Sequence, residues 1–354
     1  MMVKTSAVAI ESLPERKLRF QPAARPVPAS KTWAVVLAGG EGCRLRPLVR
    51  RLFGDERPKQ YVPLLGPSSL LRQTLDRVGR IVPAERTVVV SQYDHAQYID
   101  RELSDGAAPH VLLQPEDRGT GTAIVYAAHM IRRLDPDATV AVFPSDHYIR
   151  EEESFLVHVA EVVRFVERHP ERLILLGARP TSPEREYGWV APGTIVGEII
   201  DGPIRRVQGF LEKPETESAQ RCMSAGWLWN TFAFVTTLPT LLGAGHEFLP
   251  DVDDRLNLIG AFSGSRHEGW AVRQAYSLLP TTDFSRRVLE RCPGWLGVSR
   301  LPGLTWSDLG TPRRVMGIAN SLPVRPMWMA TGRKTADILA SVLQGRVVES
   351  ARRP

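Results

Sequence analysis

Cysteine is scarce in this sequence of 354 residues, which contains only Cys43, Cys222 and Cys292. Three widely spaced cysteines suit neither a disulfide framework nor the paired ligand spacing of a zinc ribbon. The sequence therefore predicts a protein that needs neither device, and a reducing cytoplasm is the setting that we expect.

Long apolar runs are absent as well. The N-terminal segment has a short apolar stretch that Glu11 interrupts before a secretory signal could develop. No later apolar segment is long enough to span a bilayer, so we expect no membrane association. Residues 1–30 contain four prolines and no sustained periodicity, and we interpret them as an extension without a core of its own.

The sequence also lacks a concentrated block of charge. Its formal net charge is +6, but lysine and arginine are spread along the chain among 39 acidic residues. No basic stripe, zinc-ligand spacing or aromatic-rich RNA motif accompanies the positive charge. Nucleic acid is therefore not an expected partner.

What the sequence does contain is an alternation of strand and helix patterns. Short continuous apolar runs predict buried strands, at 33–38, 87–90, 111–113, 139–143 and 173–176. Apolar residues at three- and four-residue spacings predict helices between them, at 69–78, 120–134 and 153–167. Less regular strand-like segments follow, at 204–211 and 227–235. This order predicts an α/β fold with a Rossmann-like, mixed and mostly parallel sheet flanked by helices.

We expect three regions along the chain. The extension of residues 1–30 precedes a main domain over residues 31–320, whose second half completes the same sheet and faces the substrate. A C-terminal tail, residues 321–354, follows and contains a short helix at 334–343. Polar segments come where predicted strands end, which is where ligands bind in open α/β sheets.

A glycine-rich loop follows the first predicted strand, in Leu37-Ala-Gly-Gly-Glu-Gly-Cys-Arg-Leu-Arg-Pro-Leu48. Gly39, Gly40 and Gly42 let backbone N–H groups approach phosphate oxygens without a Cβ in the way, and Arg44 adds positive charge. The spacing matches neither the dinucleotide-binding pattern nor the P-loop, which argues against an oxidoreductase built on this loop. A tight turn from strand to helix without any ligand is the alternative.

A second basic segment, Arg57-Pro-Lys59-Gln, follows this loop. Lys59 offers a compact ammonium to a phosphate, and a solvated loop lysine is the alternative. Together the two segments resemble the N-terminal signature of the sugar-1-phosphate nucleotidyltransferases, G-G-x-G-[TS]-R-L-x-P-L followed by a P-K motif. The resemblance continues in order as far as Thr311 and is closest to the mannose-1-phosphate guanylyltransferases.

The resemblance implies which residues bind the nucleotide. Gln114, in Gln114-Pro-Glu-Asp-Arg-Gly-Thr120, would contact the edge of the base through its amide. Gly119 and Thr120 would begin a helix whose N-terminal amides face an anion, with an N-capped helix start as the alternative. The implied nucleotide-binding residues are Leu37, Ala38, Gly39, Gly40, Gly42, Arg44, Gln114, Gly119 and Thr120.

Two aspartates are implied as ligands of Mg²⁺. Asp146 follows a predicted strand, and Asp308 belongs to Trp306-Ser-Asp-Leu-Gly-Thr311, which resembles the family motif W-x-D-x-G. Carboxylate oxygens are hard ligands of the kind that Mg²⁺ takes when it bridges phosphates. The same resemblance assigns the catalytic positive charges to Arg44, Lys59 and Lys213.

Three further segments resemble the sugar-binding half of the family, namely Tyr187-Gly-Trp-Val190, Phe210-Leu-Glu-Lys-Pro214 and Trp229-Asn-Thr231. The resemblance implies that Gly188, Glu212 and Asn230 contact sugar hydroxyls. It also implies that Lys213 holds the phosphate of the sugar.

Three positions depart from the family pattern. Cys43 replaces the usual Thr or Ser of the glycine-rich loop, which removes a hydroxyl that could bond a phosphate. Phe232 stands where the family has glycine, so the shape of the sugar pocket is an open question. Ser285 replaces an acid, and whether Asp283 compensates for it is also open.

The resemblance implies the nucleotide-diphospho-sugar transferase fold and the transfer of a nucleotidyl group from GTP to mannose 1-phosphate. The expected partners are thus a nucleoside triphosphate and a sugar 1-phosphate, and a homodimer is left open. One alternative is UTP or dTTP with glucose 1-phosphate, and another is a catalytically idle relative that binds nucleotide sugars and regulates a partner. The residues after Thr311 are too few for the isomerase domain that bifunctional relatives carry.

Overall fold

The computed structural model describes residues 31–103 and 109–330. The predicted extension of residues 1–30 and the predicted helix at 334–343 lie outside the described residues. Within the two described ranges the chain forms eleven strands and eleven α-helices, joined by short 3-10 turns and one π-helical turn. No helix in these ranges is both long enough and apolar enough to cross a membrane.

The strands are β1 (Thr32–Leu37), β2 (Thr87–Gln92), β3 (His110–Gln114), β4 (Thr139–Pro144), β5 (Tyr148–Ile149), β6 (Leu173–Ala178), β7 (Gly188–Ile199), β8 (Gly202–Glu212), β9 (Leu228–Thr237), β10 (Leu296–Arg300) and β11 (Trp306–Ser307). The helices are α1 (Arg46–Phe53), α2 (Leu70–Val78), α3 (Ala96–Glu102), α4 (Gly119–Leu134), α5 (Glu152–Arg168), α6 (Thr216–Ser224), α7 (Leu238–Phe248), α8 (Pro250–Ile259), α9 (Glu268–Ser277), α10 (Pro312–Ser321) and α11 (Met327–Ala330).

Nine strands form one sheet in the order β3-β2-β1-β4-β9-β6-β10-β8-β7. β1 pairs in parallel with β2 and β4, β2 with β3, and β6 with β10. β9 is antiparallel to β4, β6 and β7, and β8 is antiparallel to β7 and β10. Seven strands therefore run in one direction and two in the other, which confirms a mixed, mostly parallel sheet.

The sheet is covered by helices on both faces. In β1, Trp33 and Val35 belong to one core cluster with residues of α4, α7 and α8, whereas Ala34 belongs to a second cluster with residues of α5. Successive side chains of a strand point to opposite faces, so covering both faces buries every position from Thr32 to Val36. This explains why the predicted strand appears as a continuous apolar run rather than an alternating one.

The carboxyl ends of β1, β3 and β4 lie at the same edge of the sheet, because these strands are parallel. A separate ribbon, in which β5 pairs antiparallel with β11, follows the end of β4. This ribbon could not be predicted from the sequence, because strands of two residues are too short to show a period. The ribbon nevertheless decides where the C-terminal W-x-D-x-G motif lies.

Candidate active site

Two glutamine side chains bond the backbone carbonyl groups of the glycine-rich loop where the loop follows β1. Gln60 Nε2 donates to the carbonyl oxygens of Ala38 and Gly40 at 2.9 and 2.8 Å, and Gln92 Nε2 donates to that of Gly39 at 2.6 Å. In a trans peptide the N–H group points opposite to the carbonyl. The N–H groups that follow these carbonyls therefore point away from both glutamines, in the orientation that an anion-binding loop requires.

Gly42 sets how closely this loop meets the segment of Lys59. Its φ is +60°, a conformation that glycine adopts without steric strain. A Cβ at this position would lie 3.0 Å from the backbone nitrogen of Lys59, so a larger residue would push the two segments apart. Cys43 begins the 3-10 turn that follows and is exposed. The loop and Lys59 thus lie side by side.

Lys59 is buried and lies between the two predicted metal ligands. Its Nζ is 3.1 Å from Asp146 Oδ2 and donates to the backbone oxygen of Asp308 at 2.6 Å. The alternative of a solvated loop lysine is therefore wrong. The ammonium instead joins two segments that are far apart in the sequence.

The ribbon of β5 and β11 explains how Asp308 comes to Asp146. Ser307 pairs with Tyr148 in the antiparallel register of the ribbon. Because the two strands run side by side in opposite directions, the residue after Ser307 lies next to the residues before Tyr148. The two aspartates therefore meet at the carboxyl end of β4.

Asp308 is held by donors from three directions. Its Oδ1 accepts from the Tyr187 hydroxyl at 2.8 Å and from the Gly310 N–H at 2.9 Å, and Arg314 Nη1 donates to the same oxygen at 3.0 Å. Burial alone would raise the pKa of Asp308, but the positive charges of Lys59 and Arg314 outweigh burial and hold that pKa below its ordinary value. Asp308 is therefore ionised at neutral pH, as a cation ligand must be.

Arg314, in the first turn of α10, is the residue of this site that the sequence analysis missed. Its guanidinium is 2.5 Å from Glu184 and 3.2 Å from Glu186, and it lies 4.3 Å from the centre of the Tyr187 ring. Arg44 also pairs with Glu186, at 2.6 Å. The helix dipole disfavours a cation in a first turn, so the surrounding carboxylates hold Arg314 there. No local pattern marks such an arginine, because arginines are mostly surface residues.

The predicted sugar-binding residues come together on β7, β8 and β9. Gly188 and Glu212 are paired in the register of β7 and β8. A Cβ at Gly188 would lie 2.7 Å from Glu212 Oε2 and 3.1 Å from Asn230 Cβ, so only glycine permits this approach. Burial raises the pKa of Glu212, while the charge of Lys213, 3.3 Å away, opposes that shift. These four residues form one polar group.

Among the described residues, three that are not glycine have positive φ, and each lies near a predicted ligand. They are Lys213, Phe232 and Leu309, with φ of 51°, 59° and 48°. Each comes one or two residues after a residue that the sequence analysis assigned to the sugar or the metal. Strained backbone of this kind costs about 1–3 kcal/mol per residue and is concentrated at functional sites.

The positive φ of Phe232 explains why the family has glycine at this position. Its N–H donates to Asn230 Oδ1 at 3.1 Å, which fixes the predicted sugar ligand. Its ring lies edge-on to Phe234 and Phe284, with 6.4 Å between ring centres in each case. The ring of Phe232 therefore packs against the hydrophobic core.

The start of α4 is capped by the chain itself. The Gly119 N–H donates to Asp117 Oδ1 at 2.8 Å, and the N–H groups of Gly121 and Thr122 donate to the carbonyl and hydroxyl oxygens of Thr282 at 2.9 and 3.1 Å. A Cβ at Gly119 would overlap the backbone of Thr282. The structure thus favours an N-capped start of α4 over a start whose amides face an anion. Gly119 and Gly121 serve to let Thr282 approach the helix.

Two other predicted nucleotide contacts of this segment differ in their surroundings. Gln114 ends β3 beside the glycine-rich loop, because a Cβ at Gly39 would lie 3.1 Å from Gln114 Nε2. The Thr120 hydroxyl instead accepts from the Phe284 N–H at 3.0 Å. The structure therefore brings Gln114 to the loop, whereas it ties Thr120 to the segment at 282–284.

Ser285 occupies the position where the family has an acid. It is buried, and its hydroxyl lies close enough to the Glu212 carboxylate to oppose the rise in pKa that burial causes there. Asp283 accepts instead from the Arg286 N–H at 3.2 Å. The serine thus lies beside the predicted sugar ligand, and Asp283 caps the turn that follows it.

This combination of fold and site is that of a nucleotidyl transferase. The family model described as nucleotidyl transferase matches residues 33–323. The chain therefore belongs to the nucleotidyl transferase family.

Relatives within the family carry more specific names. The mannose-1-phosphate guanylyltransferase ManC of Salmonella typhimurium is 31% identical over 298 residues, which cover 80% of this chain and 58% of that protein. The xanthan biosynthesis protein XanB of Xanthomonas campestris pv. campestris is 30% identical over 283 residues, which cover 78% of this chain and 57% of that protein. The chain thus spans less than two thirds of the length of these relatives.

A solved structure is similar over most of the chain. A Thermus thermophilus protein named mannose-1-phosphate geranyltransferase superposes with a TM-score of 0.69 and 30% identity, covering 81% of this chain and 79% of that protein. This similarity confirms the fold that the sequence resemblance implies.

Proposed function

We propose that this chain transfers a guanylyl group from GTP to mannose 1-phosphate, giving GDP-mannose and pyrophosphate. The observation that carries the proposal is the position of Lys59, which lies between Asp146 and Asp308 and beside Gly42 of the glycine-rich loop. It connects a loop suited to phosphates with two aspartates whose carboxylates suit a divalent cation. The name of the Salmonella relative supports the choice of base and sugar.

In the proposed reaction the sugar 1-phosphate is itself the nucleophile. One of its phosphate oxygens attacks the α-phosphorus of GTP, and the bond from that phosphorus to the β-phosphate oxygen breaks, which releases pyrophosphate. A dianionic phosphate needs no general base near neutral pH. The task of the protein is to hold two anions in line against their mutual repulsion.

Positively charged side chains of the protein counter this repulsion at each of the two substrates. We assign Arg44 and Lys59 to the triphosphate and Lys213 to the phosphate of the sugar. Arg44 pairs with Glu186, but 45% of its side chain is exposed, so it is free to turn toward an incoming phosphate. We assign the sugar hydroxyls to Gly188, Glu212 and Asn230.

The residues at the end of β4 fit Mg²⁺. Asp146 and Asp308 are both hard oxygen donors, and the positive charges around Asp308 keep it ionised. A bound Mg²⁺ supplies positive charge that offsets the negative charge of the reacting phosphates. Lys59 joins the Asp146 carboxylate to the backbone of Asp308 and so keeps the two aspartates together, and Arg314 orients the Asp308 carboxylate.

We propose residues 31–320 as one catalytic unit. β1 near its beginning and β10 near its end belong to the same nine-stranded sheet. The free thiols of Cys43, Cys222 and Cys292 fit a reducing cytoplasm as the place of the reaction.

The substrate assignment is tested by measuring pyrophosphate release over a panel of nucleoside triphosphates and sugar 1-phosphates. We expect the highest kcat/KM with GTP and mannose 1-phosphate. A clear preference for UTP or dTTP with glucose 1-phosphate would overturn the guanylyl assignment. Tight binding of GDP-mannose without any turnover would favour the non-catalytic regulator.

The metal assignment is tested with Asp146→Asn and Asp308→Asn. Each should lower turnover about 100-fold or more, because charge stabilisation at the reacting phosphates is lost. After treatment with EDTA, added Mg²⁺ should restore the original protein but neither variant. His246→Ala is the control, because it removes a separate candidate metal group, formed with Asp253 and Asp254, whose ligand atoms lie within 4.8 Å of one another. Normal turnover in both aspartate variants would contradict the assignment.

A further inference from the structure

We propose that Tyr276 is a positioning residue that locks the amide of Gln114, so that the site selects bases with a carbonyl oxygen over bases with an amino group. The inference deepens the proposed function and rests on it, because it uses the assignment of Gln114 to the base. Tyr276 lies in α9, outside every sequence motif described above.

The contact between the two side chains is buried and well defined. Tyr276 is fully buried, and its hydroxyl donates to Gln114 Oε1 at 3.2 Å. Its ring lies edge-on to Tyr126 of α4, with 5.9 Å between ring centres, which fixes the direction of the hydroxyl. Burial raises the pKa of Tyr276 well above its ordinary value, so the hydroxyl keeps its proton at neutral pH.

This hydrogen bond decides which way the Gln114 amide faces. With Oε1 bonded to Tyr276, Nε2 is directed toward the glycine-rich loop, 3.1 Å from the place where a Cβ of Gly39 would lie. In the described part of the chain this Nε2 has no hydrogen-bond acceptor, and it is not sealed from solvent. The Gln114 side chain is only 3% exposed, yet its Nε2 lacks a protein partner. This unpaired donor lies beside the loop that we assign to the nucleotide.

A donor at this position distinguishes bases by the group that it meets. Guanine carries a carbonyl oxygen where adenine carries an amino group, and uracil and thymine carry one where cytosine carries an amino group. A carbonyl oxygen accepts from Nε2, whereas an amino group faces it donor to donor and leaves both groups unpaired, which is costly.

Glutamine alone cannot make this distinction. Its amide has a donor end and an acceptor end, and a rotation of the amide presents Oε1 to an amino group instead. In the original protein that rotation would place Nε2 against the Tyr276 hydroxyl, which would then accept from it, and the proton of this fully buried hydroxyl would lose the acceptor that Oε1 provides. The selectivity therefore depends on Tyr276.

Tyr276→Phe removes the hydroxyl and keeps the ring. We would measure the dissociation constants of GTP and ATP by calorimetry, and kcat/KM for both, in the original protein and the variant. The preference for GTP over ATP should fall about tenfold or more in the variant, because one hydrogen bond no longer holds the amide. At saturating GTP, kcat should change less than about twofold, because Tyr276 does not touch the reacting phosphates.

Two further variants make the experiment decisive. Tyr126→Phe removes a hydroxyl from the adjoining buried ring and leaves the bond from Tyr276 to Gln114 intact, so its preference for GTP should equal that of the original protein. Gln114→Glu replaces the donor with an acceptor, so its affinity for ATP relative to GTP should be higher than that of the original protein. Equal preferences in the original protein and Tyr276→Phe would overturn the proposal, as would an equal loss in Tyr126→Phe.

The same measurements separate this inference from the proposed function. If the enzyme uses UTP instead of GTP, the guanylyl assignment fails, and the pair of UTP and CTP then tests the carbonyl preference in the same variants. If GTP is preferred and Tyr276→Phe leaves the preference unchanged, the proposed function stands and the role of Tyr276 fails.

Discussion

Arg314 Nη1 lies 3.0 Å from Oδ1 and 3.2 Å from Oδ2 of Asp308. The same guanidinium also bonds Glu184 and lies over the ring of Tyr187, so several contacts fix it in place. It therefore fixes the direction in which the Asp308 carboxylate points. A ligand that is oriented in this way binds a cation without first having to be ordered.

Arg314→Gln should lower kcat/KM by about 10–100-fold at a given Mg²⁺ concentration, because losing the partner of a metal ligand typically has an effect of this size. Arg314→Lys should restore little, since an ammonium cannot reproduce the fork that binds Asp308 and Glu184 together. Arg313→Gln, at the adjacent exposed position, is the control and should behave as the original protein. If the two glutamine variants were equally active, Arg314 would have no role in the site.

Cys43→Ser should strengthen binding of the nucleotide. Cys43 follows Gly42 at the exposed start of a 3-10 turn, where the family usually has Thr or Ser. A hydroxyl there would add one hydrogen bond to a phosphate, worth about 1 kcal/mol, which lowers the KM for GTP about fivefold and leaves kcat unchanged. Steady-state kinetics with GTP as the varied substrate measure this, with Cys43→Ala as the control. A serine variant indistinguishable from the alanine variant would show that backbone groups alone bind the phosphate.

Glycine-to-alanine substitutions at α4 and α7 should have opposite effects on stability. Gly121→Ala places a Cβ 2.6 Å from Thr282 Oγ1, so we expect the free energy of unfolding to fall by about 1–3 kcal/mol. A Cβ at Gly243, inside α7, would meet no neighbouring atom within 4 Å, so Gly243→Ala should raise that free energy by about 0.5–1 kcal/mol. Urea unfolding of both variants measures the two changes. A lower free energy of unfolding in Gly243→Ala than in the original protein would contradict the open space around Gly243 of α7.

The free energy of unfolding should fall as the pH drops from 7 toward 5.5, partly because of His158. This ring is fully buried, with Nδ1 bonded to Asp201 at 2.9 Å and Nε2 to Ser299 at 3.0 Å. Burial lowers the pKa of His158 below the value of 6.5 that it has in the unfolded chain, although Asp201 opposes the shift. Below pH 6.5 the unfolded chain therefore takes up a proton that the folded chain does not, which favours unfolding.

His158→Gln should make this pH dependence shallower, whatever its effect on stability at pH 7. One proton changes the slope by at most about 1.4 kcal/mol per pH unit. His246→Gln is the matched control, because 75% of its side chain is exposed. Urea unfolding at pH 7, 6.5, 6 and 5.5 gives the slopes, and a slope in His158→Gln equal to that of the original protein would rule out this contribution.

Much of the framework could be predicted because it depends on local patterns. β1 and β4 are present within a residue or two of the predicted runs, since strands buried on both faces are apolar throughout. The ribbon of β5 and β11 escaped prediction, because pairing of two residues in each strand leaves no periodic signal. Gly119 was assigned to a nucleotide on the resemblance, and nothing in the sequence shows that Thr282 packs against it.

By itself the sequence determined the order of strands and helices, the glycine-rich loop after β1, and the presence of Asp146 and Asp308, because periodicity and short motifs are local properties. Only the tertiary structure decided that Lys59 lies between those aspartates, that Arg314 orients one of them, and that Tyr276 faces Gln114. Each of these relationships joins residues that are distant along the chain. Such contacts arise from the packing of whole elements, and no local pattern of residues encodes them.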